Sequence, residues 1–172
     1  MAKFEAAFSA TASRLETRDD TLYKGICLPT FPSWEGWKTI AAAKSELGFP
    51  HVLEKDSNLQ ALVQQHYRKN FWFYDAVASQ EIATFLFFLG IEIGVEKSKR
   101  LLQRAINYIN PVSNLKPDGL LGPRTLQFLN ASDPSRLLIE LRARLAFHYA
   151  KVVLSDPKQM KFLLKWLRRL LG

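Results

Sequence analysis

Apolar residues recur three and four positions apart along nearly the whole chain, and no run of convincing length alternates apolar and polar residues. A helix buries residues spaced this way along one stripe, whereas a half-buried strand needs a period of two. The pattern therefore predicts packed amphipathic helices. Phe4, Phe8, Ala12 and Leu15 mark a first helix ending near Thr17, and the polar turn Arg18-Asp19-Asp20-Thr21 follows. An irregular aromatic stretch comes next, with Pro29, Pro32, Trp34, Gly36 and Trp37. Prolines forbid a continuous helix there, and tryptophans need burial.

Further helices follow from their start and stop signals. One spans residues 39–47 and halts at Gly48-Phe49-Pro50. Leu59, Leu62, Val63, Tyr67 and Phe71 define the next, capped by Asp56 or Ser57. Residues 79–89 are almost wholly apolar and predict the central buried helix. The surrounding apolar window, residues 82–95, is too short to span a bilayer and contains Glu92. Residues 97–107, with Leu101, Leu102 and Ile106 inward, resume the amphipathic pattern. Pro117-Asp118-Gly119 signals a turn before a short helix over 120–129. Ser132-Asp133-Pro134 opens a long helix with Leu137, Leu138, Leu141, Leu145, Tyr149 and Val152 inward, and Ser155-Asp156-Pro157 opens the last. The expectation is one all-α domain of about seven or eight helices, long enough at 172 residues to bury a real core.

The formal net charge of +8 favours anionic partners: nucleic acid, acidic lipid headgroups, or cell wall bearing carboxylates and phosphates. Nucleic acid is disfavoured, because the basic residues are dispersed and no recognised module is present. Lys158, Lys161, Lys165, Arg168 and Arg169 gather on one face of the last helix, opposite Leu163, Trp166, Leu167 and Leu170. Such a helix either lies on an anionic membrane surface or packs on its own domain. Cys27 is the only cysteine, so no intramolecular disulfide can form, and it reads as a small buried hydrophobe. His51, His66 and His148 are too scattered to form a metal site, and nothing calls for a cofactor. The N-terminus, Met1-Ala2-Lys3-Phe4-Glu5, carries no secretory pattern. Synthesis in a bacterial or phage-infected cytoplasm, as a monomer, with action at the cell wall if exported, is the expectation.

Several segments, in order, resemble the glycoside hydrolase 108 group of bacterial and phage N-acetylmuramidases. They are Tyr23-Lys24-Gly25-Ile26, Phe31-Pro32-Ser33-Trp34-Glu35-Gly36-Trp37, Tyr67-Arg68-Lys69-Asn70-Phe71-Trp72 and Leu101-Leu102-Gln103-Arg104-Ala105. Two more complete the series: residues 117–126, similar to the signature of that group's C-terminal peptidoglycan-binding part, and the closing helix from Asp156-Pro157. The resemblance implies a lysozyme-like fold, with a muramidase-type region over 1–110 and a peptidoglycan-binding region over 111–172. It implies peptidoglycan as partner and cleavage of the β-1,4 bond between N-acetylmuramic acid and N-acetylglucosamine.

Such cleavage needs a carboxylic acid to protonate the leaving oxygen, and a second polar group to steady the developing charge or activate water. By resemblance Glu16 is the acid, with Asp20 beside it and Glu92 facing them, while Asp19, Thr21, Tyr23 and Asp118 hold substrate. The residues themselves leave alternatives open. Glu16, Asp19 and Asp20 also read as a solvated turn, and Glu92, a carboxylate in an apolar helix, as half of a buried ion pair with an arginine. The family's paired glycines after the glutamate are absent here. Its polar positions are also filled by Leu22, Phe73 and Phe88.

Overall fold

A computed structural model describes residues 1–171. Among them are eight α-helices and one two-stranded hairpin, the all-α, lysozyme-like class that the motifs imply. The chain divides into two compact units, Lys3–Asp75 and a second made of Met1–Ala2 with everything from Ala76 onward. The motif boundary near residue 110 falls inside the second unit.

In the first unit, α1 (Phe4–Ala12) buries Phe4, Ala7 and Thr11. It ends short of Thr17 because its last turn tightens. The amides of Arg14 and Leu15 bond back three residues, to the carbonyls of Thr11 and Ala12. The Glu16 carbonyl is taken by the Gly25 amide at 2.7 Å instead of by a helical donor. The hairpin follows, β1 (Leu22–Tyr23) antiparallel to β2 (Ile26–Cys27), with Leu22 opposite Cys27 and Tyr23 opposite Ile26. Its two-residue turn has positive φ at both Lys24 (47°) and Gly25 (75°), the backbone twist that matches paired strands.

α2 (Gly36–Ala43) begins earlier than its apolar pattern suggests, at the glycine of the aromatic stretch. α3 (Ser57–Phe71) is capped by Asp56, whose Oδ1 accepts from the Leu59 amide at 2.9 Å. Its inward stripe is Leu59, Val63, His66 and Tyr67, so a histidine occupies the core position where Leu62 was expected. Phe4 meets Trp72 edge-on at 5.8 Å, and Phe8 lies 5.7 Å from Tyr67. Cys27 is half-buried, not fully enclosed.

The second unit is organised around α4 (Gln80–Ile93), where Ile82, Ala83, Leu86, Phe87 and Leu89 are inaccessible to solvent or nearly so. Gly94, at φ 91°, ends α4 and leads directly into α5 (Val95–Ile109), whose inward residues include Leu102, Ala105 and Ile106. After α6 (Pro123–Ala131), Asp133 caps α7 (Pro134–Ser155), with Pro134 in the first turn. The stripe of α7 ends on Val153, four residues after Tyr149, and not on Val152. α5 and α7 pack on α4, and α8 (Met160–Leu171) packs on α7. Of the described residues, no helix is long and apolar enough to cross a membrane.

Candidate functional site

Most of the residues singled out in the sequence cluster around the hairpin of the first unit. Gly25 is indispensable to its shape for two reasons. Its φ lies in the left-handed region, and a Cβ there would stand 2.7 Å from the Tyr67 hydroxyl. That hydroxyl donates to the Lys24 carbonyl at 2.7 Å, so α3 holds the turn from behind. The Lys24 amide is held in turn by Thr17 Oγ1 at 3.0 Å. Burial pushes the Tyr67 phenol well above its ordinary range.

Asp19 organises the loop before the hairpin. Its Oδ1 accepts from the amides of Thr21 (2.8 Å) and Leu22 (3.1 Å) and from the Thr21 hydroxyl, while its Oδ2 meets Arg18 at 3.2 Å. The Thr21 bonds, side chain first, hold the Asp19 carboxyl below its usual range. Asp20 pairs with Lys44 at 2.6 Å, and this bond raises the lysine pKa. Tyr23 is fully buried, and its hydroxyl accepts from Gln60 at 2.8 Å. Burial raises its pKa as well.

Glu16 differs from its neighbours. Its backbone is fixed through the Gly25 amide, but its side chain is exposed. Its carboxylate makes no hydrogen bond or ion pair among the described residues. The hairpin thus brings Glu16, Asp19, Asp20, Thr21 and Tyr23 into one corner, with all but Glu16 already holding protein partners.

The same unit carries a feature the sequence reading passed over. Phe31, Ser33, Trp34 and Glu35 face Leu62, Gln65, His66, Lys69 and Asn70 across a cleft of about 350 Å³. The Trp34 ring lies close against Gly36, where a Cβ would come within 2.4 Å of it. Trp37 packs edge-on against Trp34 at 5.1 Å and anchors its indole N–H to the Phe31 carbonyl at 2.8 Å. His66 is 7 % exposed, ringed by Phe31, Trp34, Tyr67 and Phe71. Its Nδ1 sits 3.2 Å from the Asn70 amide nitrogen, and its Nε2 has no hydrogen-bond partner among the described residues. Burial lowers its pKa to about 4. The available signal was His66 on the inward stripe of α3, opposite a Trp-x-Gly-Trp segment.

Glu92 and Asp118 belong to the second unit. Glu92, 12 % exposed in its side chain, receives Arg169 at 2.9 Å and the Tyr149 hydroxyl at 3.1 Å. Burial, and then the Glu92 charge, raise the Tyr149 pKa. Arg169 therefore turns inward, away from the exposed Lys158, Lys161, Lys165 and Arg168 with which the sequence grouped it. Trp166 stacks 5.1 Å from Tyr149, so the apolar face of α8 is used within its own unit.

Asp118 is one end of a latch. Gln103, 2 % exposed, donates to Asp118 Oδ1 (2.8 Å) and the Leu120 carbonyl (3.0 Å), and its Oε1 accepts from the Gly119 amide at 2.9 Å. The Gln103 bond, then the Leu120 amide, hold the Asp118 carboxyl low. No group of three or more His, Cys, Asp or Glu among the described residues is placed to hold a metal ion.

These elements define an all-α protein whose second unit is closed by a buried glutamine latch and a glutamate–arginine pair. Residues 97–171 match the family described as a predicted peptidoglycan domain. The chain as a whole is similar to the structure of SagA from Brucella abortus, at TM-score 0.60 and 21 % identity, covering 98 % of this chain and 93 % of that one. At that identity the likeness is one of fold. No curated protein matches the chain.

Proposed function

We propose that this protein is directed to peptidoglycan and engages cell-wall glycan chiefly by binding, on a muramidase-type scaffold. The observation that carries the first part is the match of residues 97–171 to a peptidoglycan domain, a stretch that includes the latch at Asp118. The emphasis on binding rests on the carboxylates. Asp19, Asp20 and Glu92 are each committed to protein donors, whereas glycoside hydrolysis draws on two carboxyl groups that face the substrate. On this reading the chain works at the cell wall after leaving the bacterial or phage-infected cytoplasm, and its net charge of +8 adds salt-sensitive attraction to an anionic wall.

A second reading, hydrolysis of the N-acetylmuramic acid–N-acetylglucosamine bond, is favoured by one observation. The Glu16 carboxylate is exposed and uncommitted among the described residues, as a proton donor to a polymer must be, and the Asp20–Lys44 pair stands in the loop beside it. One experiment separates the readings. Purified sacculi are incubated with wild type and with Glu16→Gln, and both co-sedimentation and released muropeptides are measured. Co-sedimentation of both proteins without release supports binding. Release by wild type that Glu16→Gln abolishes establishes the hydrolase, and absence of both proteins from the pellet overturns the assignment to peptidoglycan.

A further inference from the structure

We infer that the cleft between the Phe31–Glu35 segment and α3 is a saccharide site, separate from residues 97–171, that takes one pyranose ring of an N-acetylated glycan. Naming the sugar as N-acetylated rests on the peptidoglycan reading; the saccharide chemistry stands on the cleft itself. Its volume, about 350 Å³, falls at the small end of ligand pockets. One wall is aromatic, formed by Phe31 and Trp34. The apolar C–H face of a pyranose packs against such rings, and the indole is packed closely between Gly36 and the perpendicular ring of Trp37.

The rest of the lining is polar apart from Leu62, and the side chains of Ser33, Glu35, Gln65 and Lys69 have no hydrogen bond or ion pair among the described residues. Ser33 and Gln65 offer a hydroxyl and an amide matched to sugar hydroxyls and an acetamide, and Asn70, whose Nδ2 already bonds the His66 carbonyl at 2.9 Å, offers its Oδ1 as an acceptor. Lys69 supplies a cation for a carboxylate substituent on the ring, and Glu35 an acceptor for hydroxyls. At the back stands His66, more than nine-tenths buried, with its Nε2 unmatched. An unpaired buried nitrogen is destabilising, and the large majority of buried side-chain polar atoms have a partner. An aromatic wall with unmet hydrogen-bond capacity suits a ring that is apolar on its face and polar at its edge. A lipid chain would leave those polar groups unpaired.

The full chain is titrated with tri-N-acetylchitotriose and, in parallel, with cellotriose, following tryptophan fluorescence and calorimetry. Tri-N-acetylchitotriose is expected to bind with a change in tryptophan emission, and Trp34→Ala to weaken it at least about tenfold, the loss of one stacking contact with its burial. Because Trp34→Ala removes a packed side chain, Gln65→Ala serves as the second variant. Gln65 is exposed, and its loss is expected to weaken binding severalfold with an unchanged melting temperature. No binding by wild type, or binding untouched by both variants, overturns the site. Cellotriose binding as tightly as tri-N-acetylchitotriose overturns the N-acetylated assignment. Wild type that pellets with sacculi but ignores tri-N-acetylchitotriose sinks this cleft and spares the peptidoglycan reading. Tri-N-acetylchitotriose binding without pelleting does the reverse.

Discussion

The Tyr67 hydroxyl occupies the space that a side chain at Gly25 would need, 2.7 Å from where a Cβ would stand, and from there it bonds the Lys24 carbonyl. A helix and a hairpin turn are thereby fitted to each other through one oxygen. Gly25→Ala meets both the positive φ and the displaced hydroxyl, and is expected to destabilise by about 2–3 kcal/mol, strain plus a lost hydrogen bond. Tyr67→Phe alone should remove about 1 kcal/mol. It also vacates the contested space, so the double variant should be more stable than the two losses summed. Urea unfolding of all four proteins reads the coupling, and strict additivity would refute the shared space.

Gln103 uses its whole amide: it donates to Asp118 and Leu120, with a longer contact to the Thr125 hydroxyl at 3.5 Å, and accepts from Gly119. Gln103→Glu keeps the size but replaces the donor by an oxygen facing the Asp118 carboxylate and the Leu120 carbonyl. The expected loss is about 2–4 kcal/mol, because one oxygen of the buried carboxylate then faces acceptors while only the other keeps the Gly119 amide. Asp118→Asn, at a partly exposed position, should lose less. If Gln103→Glu melted with the wild type, the latch would contribute nothing to the second unit.

Glu92 and Arg169 are joined across α4 and α8 with Tyr149 completing the carboxylate's shell. Arg169→Met strands a carboxylate that is only 12 % exposed. Since Arg169 itself is 30 % exposed and partly screened, the loss is expected near 2 kcal/mol, below that of a fully buried pair. Glu92→Gln combined with Arg169→Met should recover part of it. Equal stability of Arg169→Met and wild type in chemical denaturation would show that the pair is not coupled.

The helices were legible because caps and stripes are local. Asp56, Ser79 and Asp133 each cap the helix they signal, and Leu137 through Tyr149 face inward as their spacing requires. What the sequence hid is set by tertiary partners. The first helix tightens and ends at Ala12, and it does not resume towards Thr17 because the Gly25 amide, nine positions beyond Glu16, captures the Glu16 carbonyl. Arg169 looks like one more cation on a basic face until a carboxylate on another helix turns it inward. Asp19, Asp20 and Tyr23 have the residue types of a catalytic corner, yet their donors, Thr21, Lys44 and Gln60, become visible only in three dimensions. The His66 cleft was missed because histidine was weighed as a metal ligand, a question of spacing between histidines, while its surroundings are aromatic.

His66 also makes stability depend on pH in a definite window. Its folded pKa, about 4, lies below the ordinary value of 6.5 because burial penalises the charged ring. Phe31, Trp34, Tyr67 and Phe71 surround it, Asn70 meets its Nδ1, and Glu35 and Lys69 line the same cleft. Between those two pKa values the unfolded chain binds the proton and the folded one does not, so stability rises with pH across the window and falls on acidification. The loss from pH 7 to pH 4 attributable to His66 is up to about 3 kcal/mol. His148, lowered by burial and then by Lys97 and Lys151, acts in the same direction. Asp19 and Asp118, held low by their hydrogen bonds, contribute stability above the ordinary carboxylate range that is lost only at still lower pH. Urea midpoints at pH 7, 6, 5 and 4 for wild type and His66→Gln isolate the histidine. The variant should start less stable or equal at pH 7 and lose distinctly less on the way down. Parallel profiles through that range would mean that His66 is not held neutral by its aromatic surroundings.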